Sequence, residues 1–173
     1  LVQGGTCYFL SRPRRFGKSM LLSTLETYFQ GKKHLFKGLA IEQLETEWAE
    51  YPVFHIDFNG NDFTKAGTLE DTIEGSIASW ETVYGKDPNF SNIGKRFSYV
   101  LAQAHKKYGR RAVVLIDEYD KPILDVLDTG ISSLVDGERR LLEDQHREIL
   151  KGFYSTFKAA DEHLKFVLLT GVT

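Results

Sequence analysis

Several features that define common protein classes are scarce in this 173-residue sequence. It contains one cysteine, Cys7, so an intrachain disulfide is excluded, and this usage favours a reducing compartment. No apolar run approaches the roughly 18 residues that a membrane-spanning helix requires. The formal net charge is only −2, which gives the chain no overall attraction to nucleic acid or to an anionic membrane. We therefore expect a cytoplasmic protein without a membrane partner.

The composition is ordinary for a globular domain, with 42% hydrophobic and 27% charged residues. A chain of this length is sufficient for one domain with a buried core. Strand-like apolar runs lie close to both ends of the sequence, whereas natural termini are usually polar and poorly ordered. We therefore expect residues 1–173 to form one domain that is truncated at both ends.

The pattern of apolar residues predicts strands that alternate with helices. The predicted strands are residues 6–10, 51–58, 112–116 and 165–170. Helices are predicted from Lys18 to a stop at Gly31, and over 42–49, Thr68–Tyr84, 91–108, 122–127 and 138–160, with a loop at 129–137. Since the apolar runs are typical of strands buried on both faces, the sequence favours an α/β fold in which helices cover a central parallel sheet.

The segment FLSRPRRFGKSML, residues 9–21, is close to the phosphate-binding pattern G-x-x-x-x-G-K-[ST]. It follows a predicted strand and opens a predicted helix, which is the context that this motif requires. Backbone N–H groups and a helix N-terminus would face a phosphate there. Gly17 permits a close backbone approach, Lys18 would reach the β- and γ-phosphates, and the Ser19 hydroxyl would help to hold Mg²⁺.

Arg12 stands where the pattern has its first glycine. That glycine serves the geometry of the turn, and an arginine with a negative φ can replace it. Pro13 biases Arg12 toward an extended conformation, so Arg12 is expected to end the first strand. Two interpretations of Arg14 and Arg15 stay open, since these side chains either form a solvated basic turn or contact phosphate.

A second motif, AVVLIDEYDKP at residues 112–122, places Asp117 and Glu118 after a fully apolar strand. Ligands of open α/β sheets bind outside the carboxyl ends of the strands, so this pair should converge with the Lys18 loop. Asp117 is a candidate Mg²⁺ ligand, and Glu118 is a candidate for polarising an attacking water. The alternative is an acidic surface pair that caps the strand.

Further candidate residues lie in the other strands or at their ends. Thr170 ends the last apolar strand, where it would sense a γ-phosphate or orient water, although threonine is also common in strands. Asp57 and Asn59 end the second strand and are candidate partners of Glu118. His55 is interpreted as packing in the sheet, and no His/Cys cluster has zinc-ligand spacing. Cys7 is expected to be a core residue.

Four segments together resemble a known family, and they are RPRRFGKSMLLSTLETYF, YPVFHIDF, VVLIDEYDKPI and FVLLTGVT. In this order they resemble the predicted AAA-type ATPase domain of bacteria, a P-loop NTPase with a catalytic glutamate. The family loop also reads RPRRFGKS, so Arg12 departs from the general pattern and not from the family. The resemblance implies a three-layer fold with sheet order 5-1-4-3-2, of which strand 5 is missing here, and it implies ATP and Mg²⁺ as ligands.

The resemblance also assigns roles to residues. It implies catalytic roles for Glu118, Lys18 and Thr170, and metal binding by Ser19 and Asp117. The implied nucleotide-binding residues are Pro13, Arg14, Arg15, Phe16, Gly17, Lys18, Ser19 and Met20. Family members often carry a nuclease-like domain further toward the C-terminus, which is the further domain expected in the full-length protein.

Two functions from different classes follow. The first is ATP hydrolysis, which needs mainly positioning and charge stabilisation, with Arg139, Arg140 or Arg147 as candidate arginine fingers. The alternative is a nucleotide-gated interaction or scaffold module with little hydrolysis, in which 128–137 would be the mobile element. A nucleic-acid scaffold that uses the Arg12–Lys18 patch is opposed by the net charge. The oligomeric state is left open.

Overall fold

The computed structural model describes residues 5–13 and 15–172 of the chain. The strands, in chain order, are β1 (Cys7–Ser11), β2 (Val53–Asp57), β3 (Ala112–Asp117), β4 (Ser132–Val135), β5 (Glu138–Leu141) and β6 (Leu164–Gly171). The α-helices are α1 (Lys18–Phe29), α2 (Ile41–Leu44), α3 (Thr68–Tyr84), α4 (Ile93–Tyr108), α5 (Lys121–Leu124) and α6 (Leu142–Ala159). Two 3₁₀ turns lie at Lys33–Phe36 and Asp161–His163. No helix of this described part is long and apolar enough to cross a membrane.

Four strands form one parallel sheet in the order β1, β6, β3, β2. The central strand β3 is buried along its whole length, as its uninterrupted apolar sequence predicts. Because every pair in this sheet is parallel, the carboxyl ends of the four strands lie at the same edge. The predicted α/β class with a parallel sheet is confirmed. A fifth strand stays a prediction, since the described residues form four strands in this sheet.

Neighbouring residues of a strand point to opposite faces of the sheet. Since β3 is apolar at every position, both faces of the sheet are apolar and both are covered by helices. On one face, Val113 and Leu115 pack in a cluster with Leu22 and Phe29 of α1. On the other face, Val114 and Ile116 join a larger cluster. That cluster contains buried side chains of α3, α4 and α6, namely Leu69, Ile73, Ile77, Phe97, Val100, Leu101, Ala104, Leu150 and Phe153.

The boundaries of α3 agree with the prediction at both ends, since its apolar repeat runs uninterrupted from Leu69 to Tyr84. The predicted loop at 129–137 and the predicted helix start at Glu138 are wrong. Strands β4 and β5 form an antiparallel hairpin there, and α6 begins at Leu142. Asp136 and Gly137 connect the strands with φ values of 52° and 84°, the conformation that an Asp-Gly hairpin turn requires.

The expectation that Cys7 is a core residue is also wrong, because the side chain of Cys7 is exposed. Strand β1 lies at the edge of the sheet, and its residues alternate between exposed and half-buried. Phe9 shares the exposed side and keeps 66% of its surface accessible. The apolar sequence of β1 therefore predicts more burial than the strand has, because the burial of an edge strand also depends on which elements cover it.

The aromatic cluster around Phe97 should dominate the stability of the larger core. Its fully buried ring lies 6.1 Å from that of Phe54 and 5.3 Å from that of Phe153. We expect Phe97→Ala to lower the free energy of unfolding by about 3–5 kcal/mol in urea denaturation, because it removes buried surface and leaves a cavity. Val83→Ala, at a half-exposed position, is the control and should change it by less than about 0.5 kcal/mol. Equal stability of the two variants would contradict the described packing.

Candidate functional site

The loop between β1 and α1 has the conformation of a turn that opens a helix. Gly17 precedes α1 with φ 76° and ψ 17°, a left-handed conformation that glycine adopts without a steric penalty. Arg15 is also left-handed, with φ 66°. Arg12 is not among the residues with positive φ, and its N–H donates to the Gly171 carbonyl at 3.1 Å. Arg12 therefore continues the pairing of β1 with β6, as its position before Pro13 predicts.

The ammonium group of Lys18 connects this loop with the end of β3. Lys18 is 5% exposed, so its charge needs partners within the protein. Its Nζ donates to the Arg12 carbonyl at 3.0 Å and lies 3.5 Å from that of Pro13. It also lies 3.1 Å from Oε1 of Glu118. Glu118 carries a negative charge, and the two carbonyl oxygens carry partial negative charges. The ammonium group of Lys18 therefore lies where an anionic ligand could replace one of these partners.

Asp117 is the point at which three elements meet. Its carboxylate is buried, and Oδ2 accepts a hydrogen bond from the Ser19 hydroxyl at 2.5 Å. Oδ1 accepts one from the Thr170 hydroxyl at 2.5 Å and one from the Glu118 N–H at 3.1 Å. The end of β3 is thereby joined to the first turn of α1 and to the end of β6. Buried carboxylates are expected to be satisfied in this way.

The predicted convergence of the loop and the acidic pair is therefore observed. Lys18, Ser19, Asp117, Glu118 and Thr170 form one continuous cluster at the carboxyl edge of the sheet. The remaining predicted nucleotide-binding residues flank this cluster in sequence. The side chains of Phe16 and Met20 are 66% and 70% exposed, whereas Pro13 faces Lys18 through its carbonyl. Arg14 lies outside the described residues.

The predicted pairing of Asp57 or Asn59 with Glu118 is wrong. Asp57 instead accepts hydrogen bonds from the Asn59 backbone N–H at 2.8 Å and from its side-chain amide at 2.9 Å. Asp57 and Asn59 therefore pair with each other, while Glu118 pairs with Lys18. His55 contacts Glu26 of α1 at 2.9 Å, which agrees with its interpretation as a packing residue of the sheet.

A polar cavity of about 370 Å³ adjoins Glu118 and was not predicted. Loops at the ends of β2, β3 and β6 contribute to it, together with the loop before α1. Its lining consists of Arg15, Asn59, Glu118, Lys121, Leu124, Asp125 and Val172. These residues are scattered over the sequence, and no local spacing joins them. The DEYDKP stretch was nevertheless a partial signal, because it carries two of the lining residues.

Gly171 is another part of the site that was not predicted from the sequence. A Cβ atom at this position would lie 2.6 Å from Cε1 of Tyr119 and 2.7 Å from Oδ1 of Asp120. A glycine is therefore required where the end of β6 passes the segment that follows β3. Next to it, Oδ2 of Asp120 accepts a hydrogen bond from the Val172 N–H at 2.9 Å. The Thr-Gly step after the last apolar run is the sequence signal for this close approach.

The oxygen atoms at the site suit a hard cation that is shared with a ligand. Among the described residues, no three His, Cys, Asp or Glu side chains form a group that could hold a metal. Ser19 and Asp117 place two oxygen atoms 2.5 Å apart, next to the buried Lys18. Magnesium characteristically binds through one or two protein oxygens and completes its coordination with phosphate oxygens and water. The predicted pair fits that pattern.

Comparison with known proteins gives a family match over the whole chain. A family model described as "Predicted AAA-ATPase" matches residues 1–173. The chain is 39% identical over 174 residues to an uncharacterised protein in the vnfD 5′ region of Azotobacter chroococcum mcd 1. That match covers 100% of this chain and 32% of the relative, so the chain spans about a third of the relative's length. No solved structure matches the chain.

The hydrogen bond from Thr170 to Asp117 should contribute measurably to stability. Thr170→Val keeps the shape of the side chain but removes the donor from a buried carboxylate oxygen. We expect the free energy of unfolding to fall by about 1–3 kcal/mol in urea denaturation. Thr72→Val is the matched control, because the Thr72 hydroxyl donates to a helix carbonyl at Thr68, and it should change stability by about 0.5 kcal/mol or less. A Thr170→Val variant as stable as this control would show that Asp117 does not depend on the hydroxyl.

Proposed function

The chain belongs to the predicted AAA-ATPase family, and we propose that it binds ATP with Mg²⁺ and hydrolyses it to ADP and phosphate. In this proposal the α/β sheet is the core of a P-loop NTPase fold, with a Walker A segment at 13–20 and a Walker B pair at Asp117 and Glu118. The observation that carries the proposal is the pair of contacts Lys18–Glu118, at 3.1 Å, and Ser19–Asp117, at 2.5 Å. These contacts join a phosphate loop to two carboxylates at the edge of the sheet where ligands of such folds bind.

Lys18 is the primary phosphate ligand in this proposal. Its Nζ is held by the loop carbonyls of Arg12 and Pro13 and by Glu118, so it is already positioned inside the loop. A triphosphate would replace the carboxylate of Glu118 as the counter-charge of the ammonium group. This exchange keeps the buried charge paired, which avoids the cost of leaving an ammonium group alone in a low-dielectric environment.

Glu118 becomes available when Lys18 turns to phosphate. Its carboxylate can then accept the proton of a water that attacks the γ-phosphorus. The new O–P bond forms as the bond between the γ-phosphorus and the bridging oxygen breaks, and ADP leaves with that oxygen. Glu118 has φ 51° and receives no side-chain hydrogen bond other than that of Lys18 among the described residues, so its carboxylate can reorient.

Ser19, Asp117 and Thr170 hold the metal side of the site. Bound Mg²⁺ would neutralise charge on the phosphates, a role that it has in phosphoryl-transfer enzymes generally. The Thr170 hydroxyl fixes one carboxylate oxygen of Asp117 and leaves the other directed at Ser19. Thr170 is fully buried, so in this proposal it positions Asp117 and reports changes there to the end of β6.

The alternative of a nucleotide-gated module with little hydrolysis has less support. The segment 128–137, proposed as its mobile element, contains strand β4, which is paired with β5. This hairpin also contacts α6 through the hydrogen bonds of Gln145 with Ser133 and Arg140. A dedicated binding module also has little use for a carboxylate at position 118. ATP hydrolysis therefore accounts for more of the residues at the site than nucleotide binding alone does.

Isothermal titration of ATP with Mg²⁺, combined with phosphate release, tests the proposal. We expect Lys18→Ala to weaken binding by about 10- to 100-fold, because it removes the charge-assisted phosphate contact. Glu118→Gln should bind at least as tightly as wild type, because Lys18 loses a competing partner. Its hydrolysis should fall by about 10²- to 10⁴-fold, the range expected for loss of a general base.

Glu47→Gln is the matched control for this experiment, because it makes the same chemical change at an exposed position between α2 and β2. It should leave both binding and hydrolysis unchanged. Absence of ATP binding by folded wild-type protein would refute the proposed function. Binding that persists while Glu118→Gln hydrolyses ATP at the wild-type rate would remove Glu118 from the mechanism.

A further inference from the structure

The polar cavity next to Glu118 lies beyond the cluster of Lys18 and Asp117. Glu118 belongs to both regions, since it pairs with Lys18 and also lines the cavity. A cavity of about 370 Å³ has room for a phosphoryl group and several waters, because a water molecule occupies about 30 Å³ in the liquid. A γ-phosphoryl group held by Lys18 would therefore face this cavity across Glu118.

Two cations line the cavity, and one of them is already engaged. Lys121 donates to the Asn61 carbonyl at 3.0 Å and forms an ion pair with Asp125. Its Nζ also lies 5.1 Å from the centre of the Phe63 ring. These contacts make Lys121 part of the cavity wall, with its charge balanced by a neighbour.

Arg15 is different, because its guanidinium forms no hydrogen bond or ion pair with any residue in the described ranges 5–13 and 15–172. Its side chain is exposed and lines the cavity together with Lys121 of α5. A guanidinium presents five N–H donors in a planar fork that matches the oxygen atoms of a phosphoryl group. Arg15 therefore offers the cavity an unengaged positive charge that comes from the phosphate loop itself.

The backbone of Arg15 gives an independent indication. Its φ of 66° is left-handed, which costs a non-glycine residue about 1–2 kcal/mol relative to a right-handed conformation. Glycine would adopt the same conformation without that cost. A long cationic side chain at such a position is explained when the side chain, and not just the turn, is used.

The other candidate arginines do not line this cavity. Arg140 pairs with Glu148 at 2.9 Å, and Arg147 pairs with Glu143 and Asp144 on its own helix. Arg139 lies on the hairpin strand β5 and is exposed. Their placement on the hairpin and on α6 separates them from the cavity lining, which contains Arg15 alone among the arginines of the described residues.

We propose that Arg15 contacts the transferring γ-phosphoryl group in this cavity and stabilises the charge that develops in the transition state. The proposal rests on the proposed function and deepens it, because it assigns a catalytic cation to the same chain. Water supplies the new O–P bond, ADP leaves with the bridging oxygen, and Glu118 takes the proton of the water. A charge supplied within the chain means that turnover requires no arginine from a second copy.

The test compares Arg15→Ala and Arg15→Gly with wild type in steady-state ATP hydrolysis and in titrations. The titrations use ATP with Mg²⁺, and ADP with Mg²⁺ and aluminium fluoride, which imitates a transferring phosphoryl group. Both variants should bind ATP within about fivefold of wild type, while kcat falls by about 10²- to 10³-fold. Affinity for the aluminium fluoride complex should fall by a similar factor, because this interaction forms mainly in the transition state.

Arg15→Gly separates the side chain from the turn, since glycine relieves the left-handed strain. If Arg15→Gly keeps the wild-type kcat, the position serves loop geometry alone and the proposal is wrong. Arg111→Ala is the matched control, because it removes the same charge from an exposed position just before β3, at the edge of the sheet opposite the site, and its kcat should equal that of wild type. Loss of turnover in Arg139→Ala with normal turnover in the Arg15 variants would transfer the role to the hairpin.

The state of association gives a further readout. With the arginine supplied in the same chain, activity per molecule should stay constant across about a hundredfold range of protein concentration. A steep rise with concentration would indicate a contribution from a second copy and overturn the proposal. Wild-type protein that binds ATP and hydrolyses it, but is unaffected by either Arg15 variant, would refute this inference alone. Absence of ATP binding by wild type would instead refute the proposed function, and this inference with it.

Discussion

The buried carboxylate of Asp117 is the constraint on which the site depends. A carboxylate that is 2% exposed has to receive hydrogen bonds from the protein or from a ligand. Its two oxygens receive them from Ser19 at the start of α1 and from Thr170 at the end of β6. These bonds fix the first turn of the loop helix against the sheet edge. The start of α1 and the ends of β3 and β6 are thereby held together at the site.

In the proposed function, the ion pair of Lys18 and Glu118 links the loop to the end of β3. Both side chains are largely buried, so separating them without a substitute is costly. An anion that replaces Glu118 removes this cost and frees the carboxylate in the same step. In that proposal, anion binding at the loop would be linked to the orientation of Glu118, which also lines the polar cavity. This link requires no movement of the sheet, because only two side chains exchange partners.

Prediction from the sequence succeeded where the signal was local. The strict apolar repeat of α3 and the uninterrupted apolar run of β3 were sufficient to locate both elements. The hairpin was missed although Asp136 and Gly137 are a recognised turn pair, because Glu138 and its neighbours Arg139 and Arg140 favour helix by composition. The burial of Cys7 was misjudged for another reason, since an edge position in the sheet is not encoded in the residues of the strand itself.

By itself the sequence determined the α/β class, the loop context and the identity of the residues at the strand ends, because these depend on spacing along the chain. Only the tertiary structure decided which of these residues touch. Ser19 and Asp117 are 98 positions apart, and their contact exists because β1, β6 and β3 lie side by side. The same packing pairs Glu118 with Lys18, while Asn59 pairs with Asp57. It also places Arg15 in the lining of a cavity that is formed by four separate segments. Local periodicity carries no information about such contacts, since they depend on strand order and on loop conformation.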